Sequence, residues 1–329
     1  KFAFLTGVTK FGKVSVFSDL NNLTDISMDH RYISICGMTE KELLTNFKEG
    51  INELAEANGD TEEATIAKLK ARYDGYHFEE NTVGIYNPFS VLNTLSRLRY
   101  KDYWFETGTP TFLVDLLKMH NYRLPDMTKE RVSDDVINSV DSLSTNPIPV
   151  IYQSGYLTIK GYDERFKKYL LGFPNKEVEE GFLNFLLPLY CSAGDRSAFM
   201  VDEFVKDVEA GHVEQFMNRL TAFFADNSYQ VAGEAELYFQ NALYLIFKIM
   251  GFHTQVEIPT SDGRMDVLIQ TSDYIYIIEC KLDGSAEEAL QQIEVKNYAA
   301  PFAMDKRTVV KLGINFSSKT RRVESWKQR

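Results

Sequence analysis

Asp266, Glu279 and Lys281 combine the residue types and spacing that hydrolysis of a phosphate ester needs: one carboxylate, then a second carboxylate two positions before an amine. The run Tyr274-Ile275-Tyr276-Ile277-Ile278 is β-branched and aromatic and of strand length, which predicts a buried strand ending in polar residues. Side chains alternate along a strand, so Glu279 and Lys281 share one face and Cys280 turns into the opposite layer. Met265 to Ile269 reads as the preceding strand, with Thr271-Ser272-Asp273 as the hairpin turn. On that layout Asp266 and Glu279 lie close enough to share one ion. Mg²⁺ (or Mn²⁺) suits such a pair, because a hard cation that keeps several waters needs only one or two carboxylates, and the Cys280 backbone carbonyl adds a third oxygen. Lys281 then orients or helps deprotonate the attacking water and offsets the charge that builds on the phosphorane.

A simpler account of Glu279 and Lys281 is an exposed cross-strand salt bridge, which contributes roughly 0–1 kcal/mol. Ile277, Ile278 and Leu282 flank the pair and argue against free solvation. A second Glu-x-Lys, Glu294-Val295-Lys296, falls in a segment of helical spacing, where residues two apart do not face each other.

The elements that must position these residues are legible around them. Glu236 to Met250 is a helix pattern with Phe239, Leu243, Ile246, Phe247 and Met250 on one stripe and Gly251 as its C-cap. Phe252 to Pro259 reads as a strand and Ser261 to Arg264 as a turn. Ser285 to Ala300 reads as an amphipathic helix opened by a Ser285/Glu288 capping box, and Arg307 to Phe316 as the next strand.

This order of helix, three strands, helix and strand, with its carboxylates on the second and third strands, resembles the PD-(D/E)XK nuclease superfamily. The resemblance implies a restriction-endonuclease-like α/β domain over residues 229–329, a mixed sheet flanked by helices, and Mg²⁺-dependent cleavage of DNA. It also implies an acidic residue on the first helix that completes the metal site. Glu236 matches that position and Glu234 is its rival, although the helix macrodipole alone favours an acid in a first turn. Gln292 and Tyr298 match a Gln and a Tyr of the second helix, where either also serves as an ordinary polar position. Met265 stands where the family pattern has Pro.

A second resemblance covers the rest of the chain. Phe2 to Phe11, Phe17 to Leu23, Tyr73-Asp74-Gly75-Tyr76-His77-Phe78, Tyr86-Asn87-Pro88-Phe89-Ser90, Trp104, Thr107-Gly108 and Tyr152 to Leu157 are similar to the later part of an AAA-ATPase-like family of bacterial proteins. In that family a nuclease-like domain follows the ATPase. The resemblance implies that residues 1–125 are the C-terminal part of the ATPase-like domain, with ATP bound only in a longer chain that carries a phosphate-binding loop upstream. Gly7 to Lys13 fits the spacing G-x-x-x-x-G-K, yet Val14 stands where the Mg²⁺-binding hydroxyl is required and a strand-like run follows. With Lys1 opening inside a strand-like segment, the expectation is a fragment that does not hydrolyse ATP alone.

The remaining pattern is mostly helical. Thr39 to Gly59 and Thr61 to Tyr73 read as helices of a lid-like bundle, and Pro110 to His120 as another. Asn146 to Pro149 reads as a turn. Tyr156 to Lys160 and Phe166 to Phe173 read as a hairpin, followed by a helix after Pro174-Asn175. Residues 126–228 are thus expected to be a winged-helix-like connection, which binds DNA or joins domains; Glu177, Glu179 and Glu180 would repel phosphate and favour joining. The expected fold class is multidomain α/β and α, with an ATPase-lid-like N-terminal region, a winged-helix-like middle and a C-terminal nuclease-like domain.

At 329 residues, 44% hydrophobic and 25% charged, the chain is long enough for two or three domains. No apolar run approaches the ~18 residues of a membrane helix, and no signal-peptide pattern opens the chain. Cys36, Cys191 and Cys280 are too scattered for a disulfide frame or zinc site, so a cytoplasmic protein with no membrane partner is expected. The net charge of -11 opposes non-specific nucleic-acid binding. Against it stands a C-terminal cluster of Lys306, Arg307, Lys311, Lys319, Arg321, Arg322, Lys327 and Arg329, opposed only by Asp305 and Glu324 within that segment. The cluster either tracks a nucleic-acid backbone or is a solvated tail. Phe316 and Trp326 beside it are stacking groups or packing residues.

Overall fold

The computed structural model describes residues 4, 7, 24–107, 111–138, 146–190, 197–225, 235–251, 253–260 and 263–329. The motif stretches from Val8 to Leu23, including the loop that mimics a phosphate-binding motif, lie outside these residues, as do Gly108, Cys191 and Glu234. The chain divides into two compact units, residues 1–122 with 126–182 and residues 123–125 with 183–329.

Side-chain caps set the helices of the first unit. Thr39 and Glu42 form a reciprocal capping box at α1 (Glu40–Asn46). The single helix expected over 39–59 is broken at Phe47, whose backbone turns to φ -122° and whose ring packs on the core; α2 (Lys48–Asn58) restarts there and ends at left-handed Gly59. Thr61 caps α3 (Glu62–Tyr73), and Asn87 caps α4 (Pro88–Arg97), with Pro88 in its first turn. Leu43, Ile51, Leu54, Leu69, Tyr73, Tyr86 and Val91 fill the core between them. After α5 (Thr111–Met119), the turn expected at Asn146 to Pro149 proves to be the start of α6 (Ile148–Gln153), since proline is tolerated in a first helical turn. Strands β1 (Arg131–Val132), β2 (Thr158–Asp163) and β3 (Lys168–Gly172) pair antiparallel in the order β1-β3-β2. The hairpin is where the alternation places it, but β2 runs on through Gly161 by a register shift, so the turn falls after Asp163.

The motifs that carry the N-terminal resemblance converge inside this unit. Tyr76 pairs with Ile85 and Tyr86 with Met38. Tyr76 Oη donates to the Gly155 carbonyl at 3.1 Å, and Thr158 Oγ1 both accepts from His77 N and donates to His77 O. Glu177, in the first turn of α7 (Lys176–Tyr190), is fully buried, and its Oε1 accepts from Ser90 Oγ at 2.9 Å and from Trp104 N at 3.0 Å. The reading of Glu177 as a surface acid that repels phosphate is therefore wrong: its carboxylate is a packing element.

In the second unit, α8 (Ser197–Glu209) and α9 (Val213–Ala225) precede α10 (Ala235–Ile249). The expected stripe of α10 is buried, but so are Tyr238, Ala242, Tyr244 and Leu245, so this helix is enclosed on most of its circumference. Strands β4 (His253–Thr260), β5 (Gly263–Gln270), β6 (Tyr274–Leu282), β7 (Thr308–Phe316) and β8 (Val323–Gln328) form one mixed sheet in the order β4-β5-β6-β7-β8. All neighbours are antiparallel except β6 and β7, which are parallel and joined through α11 (Ala286–Val295). Ile275 and Ile277 of β6 pack with Leu290 and Ile293 of α11 on one face. On the other face Tyr276 Oη donates to the Val208 carbonyl, and Phe316 packs its ring on those of Phe224 and Phe239. The sheet thus lies between α11 and the α8–α10 layer.

α11 is shorter than expected. It ends at Val295 because Asn297 adopts φ +48°, the left-handed conformation that stops a helix, and Tyr298 lies beyond it. Ser285 Oγ accepts from Glu288 N, yet only that half of the anticipated capping box forms. Strand β8, in the stretch read as a possible tail, completes the sheet against β7.

Candidate active site

The site lies where two paired strands part. β5 and β6 run in register from Gln270↔Ile275 to Val267↔Ile278, and there the ladder ends. One residue further, Asp266 Oδ2 accepts a 2.7 Å hydrogen bond from the Cys280 amide, taking the place of a backbone acceptor. The N–H and C=O of one strand residue point to the same side, so the Cys280 carbonyl faces the same gap. Alternation along β6 puts Glu279 and Lys281 on one face, with Lys281 Nζ 3.6 Å from Glu279 Oε1. Gln292 of α11 bridges them: its Nε2 donates to Glu279 Oε1, and its Oε1 accepts from Lys281 Nζ. The carboxylate and the amine are thereby held at opposite ends of one amide.

Gly313 explains how α11 comes close enough. It is the register partner of Glu279, and a Cβ there would stand 2.3 Å from the Ala286 carbonyl oxygen. Ala286 and Ala289, both buried, complete the close approach of helix to strand.

Burial shapes the electrostatics. Glu279 is 2% exposed, and its Oε2 is buried without a hydrogen-bond partner. Burial and the neighbouring Asp266 charge raise its carboxyl to about 8. Burial also raises the Asp266 carboxyl, against the pull of the Cys280 amide and of the Lys281 and Arg123 charges. The Cys280 thiol is pushed well up by burial.

A cleft of about 230 Å³ gathers Asp266, Cys280 and Lys281 with Glu236 and Gln240 of α10. Glu236 Oε1 accepts from Gln240 Nε2, and Glu236 is exposed. Among the described residues no group of three or more His, Cys, Asp or Glu side chains is clustered as a metal site. Two carboxylates with a carbonyl still suit Mg²⁺, which retains most of its waters. The orphaned Oε2 of Glu279 is the kind of atom a cation would satisfy. Tyr298 is packed in the core with Leu268, Ile275 and Ile277 rather than set beside Gln292 at the site.

Four members of the C-terminal basic cluster are engaged with other groups of the unit. Arg307 pairs with Asp305 and also donates to the Thr271 carbonyl and Gln270 Oε1, bracing the β5–β6 turn. Lys311 pairs with Glu294 at 2.9 Å, and Lys327 and Arg329 pair with Glu287 at 2.6 and 3.0 Å. The acids that meet this cluster therefore include two from α11, which the sequence segment alone omits. Phe316 is a core residue.

Arg123 is the site neighbour that sequence reasoning missed. Its Nε donates to Gln240 Oε1 at 3.0 Å, and the next amide, Leu124 N, donates to buried Asn241 Oδ1 at 2.8 Å. A gap of 117 positions separates each pair, and no local pattern marks it.

The order of elements is that of a nuclease-like α/β domain, and residues 234–326 match the PD-(D/E)XK nuclease superfamily. This part of the chain is a PD-(D/E)XK nuclease superfamily domain. Over 333 aligned residues the chain is 32% identical to a protein of Azotobacter chroococcum mcd 1 described as "Uncharacterized protein in vnfD 5'region", covering 98% of this chain and 62% of that protein. The chain thus spans less than two thirds of its relative's length. No solved structure matches the chain significantly. Among the described residues no helix is long and apolar enough to cross a membrane.

Proposed function

We propose that the C-terminal unit is a Mg²⁺- or Mn²⁺-dependent nuclease that hydrolyses phosphodiester bonds in DNA. The observation that carries this reading is the buried, half-satisfied Glu279 carboxylate beside Asp266, with Lys281 held at a fixed distance by Gln292. Asp266, Glu279 and the Cys280 carbonyl would hold the cation. When bound, it supplies Lewis-acid polarisation of a phosphoryl oxygen and a more acidic water. Lys281 orients the attacking water and offsets charge building on the phosphorane. Phe239, Leu243 and Val267 line the cleft with apolar surface, which lowers the local dielectric and strengthens those interactions. At about 230 Å³ the cleft is smaller than the ~300–1,000 Å³ of small-molecule pockets, a size suited to a phosphodiester with its waters rather than a whole nucleoside. The N-terminal region is proposed, on its motifs, to be the later part of an AAA-ATPase-like regulatory module.

The test is cleavage of linear, branched and single-stranded DNA, and of RNA, with Mg²⁺ and Mn²⁺. Asp266→Asn and Lys281→Met are each expected to lower the rate by about 10²–10⁴-fold with unchanged circular dichroism. A wild-type chain that cuts none of these substrates, or full activity in Asp266→Asn, overturns the proposal. Binding without cleavage would leave a nucleic-acid-binding module on a non-catalytic nuclease fold.

A further inference from the structure

Folding sorts the basic residues of the C-terminal segment. Lys311 is held by Glu294, Lys327 and Arg329 by Glu287, and Arg307 by Asp305 and the β5–β6 turn. Lys306 is exposed just before β7, whereas Lys319 and Arg322 are exposed in the loop between β7 and β8. Among the described residues, none of these three side chains forms an ion pair.

Position separates the three. β6 and β7 run parallel, with Lys281 opposite Asn315 and Leu282 opposite Phe316, so the β7–β8 loop leaves the sheet at the end that carries Glu279 and Lys281. The lining of the cleft runs on to Leu282 and Phe316, and Ser317 opens the loop at the next position. Lys306 stands at the other end of β7, a strand of nine residues or about 30 Å away.

We infer that Lys319 and Arg322 form a phosphate grip, a surface on the β7–β8 loop that receives the backbone of a DNA strand where it leaves the cleft. This deepens the nuclease reading of the site and rests on it. The loop holds a fixed shape. Ser318 donates through both its amide and its hydroxyl to the carboxylate of Asp283, two residues past Lys281, and the Asp283 amide donates to the Phe316 carbonyl. Ser317 Oγ accepts from Thr320 N, and Arg321 N donates to the Ser317 carbonyl, closing a single turn that ends where Arg321 adopts φ +54°. Ser317 N in turn donates to the Arg322 carbonyl, which returns the chain to β8. The acids on the flanks, Asp283 and Glu324, each accept hydrogen bonds from this framework, Glu324 from Asn315 Nδ2. In a chain of net charge -11 an anionic strand is drawn to cations that have no acid beside them. The Arg322 fork matches two non-bridging oxygens of one phosphate, the Lys319 ammonium meets another as a point charge, and the exposed Thr320 hydroxyl is a third group of the kind that contacts a backbone.

The test is equilibrium binding of a short fluorescein-labelled DNA duplex and of its single strand, followed by anisotropy in Ca²⁺ across a salt series. The proteins are the full chain, the double variant Lys319→Gln/Arg322→Gln, and Lys306→Gln as a control of equal exposure at the far end of β7. The double variant is expected to weaken binding about tenfold or more, and to flatten the slope of log K against log salt by roughly 0.9 for each lost contact on duplex or 0.7 on single strand. Lys306→Gln is expected to keep the wild-type affinity and slope. Both variants should melt with the wild type, since the substituted side chains are exposed and unpaired. The inference falls if the double variant keeps the wild-type slope, whether or not its melting temperature drops. It falls equally if Lys306→Gln flattens the slope per charge as much as the double variant does, which would mean diffuse attraction, or if the chain binds neither probe. Binding that depends on the loop in a chain that cuts no DNA in Mg²⁺ or Mn²⁺ would sink the nuclease reading and leave the grip standing. Cleavage by the wild type with an unchanged slope in the double variant would do the reverse.

Discussion

Asp266 does two things at once, and that fixes how it can be tested. Its carboxylate accepts the Cys280 amide at the end of the β5–β6 ladder, so alanine would leave a buried donor unsatisfied, at a cost of about 1–3 kcal/mol, and confuse folding with chemistry. Asparagine keeps an oxygen for that amide and removes only the charge. Gln292 offers a cleaner probe of positioning. Gln292→Leu removes both hydrogen bonds that hold Glu279 and Lys281 apart, and is expected to lower apparent Mg²⁺ affinity or turnover by about 10–100-fold, as loss of a group supporting metal ligands does. A Mg²⁺ titration of the cleavage rate checks this; wild-type Mg²⁺ dependence would show that Gln292 only packs. Asp266, Glu279 and Lys281 were legible in the sequence because strand alternation is a local rule, and Gln292 was singled out through the resemblance to the nuclease superfamily. Arg123 was not, since only the folded chain brings it to Gln240.

At the scale of elements, the site depends on how closely α11 lies on β7. Gly313→Ala would place a methyl group against the Ala286 carbonyl, with the Leu290 amide only 3.0 Å away. Neither contact is the end of a flexible side chain, so the helix must shift. The expected cost is roughly 1–3 kcal/mol of stability, with a loss of activity larger than the stability loss explains, because Gln292 moves off Glu279. Thermal denaturation beside single-turnover cleavage would separate the two effects; a variant as stable and active as wild type contradicts this account of the interface. Nothing in the sequence around Gly313 announces that contact, whereas the strands and helices themselves were readable from apolar periodicity. The failures were at boundaries. Phe47 broke a helix because its ring was drawn to the core, Asn297 ended α11 early, and the charged, poorly alternating stretch of β8 gave no strand signal although β7 supplies its pairing.

Across the whole molecule, buried acids tie stability to pH as well as to packing. Burial raises the Glu177 carboxyl from 4.5 to about 7. Below the lower value both folded and unfolded chains are protonated there. Between the two values the unfolded chain loses its proton while the folded chain keeps it, so stability conferred by the neutral form drains away as pH rises, by on the order of 3 kcal/mol once pH passes about 7. Glu177→Gln retains an oxygen for Ser90 and Trp104 and has no proton to lose. Its melting temperature is expected to match wild type near pH 4.5 and exceed it at pH 8; equal values at both would exclude Glu177 as the source of any pH dependence. The motifs read from the N-terminal resemblance meet around this buried acid, which no spacing rule foretold, because the contacts join residues 90, 104 and 177. One rim of the five-stranded sheet carries a last consequence. β8 exposes Glu324 and Lys327 along the open edge strand. An edge strand that bears charges of both signs is a poor template for another chain's strand, so crowding should not drive this domain to grow a fibril from that rim.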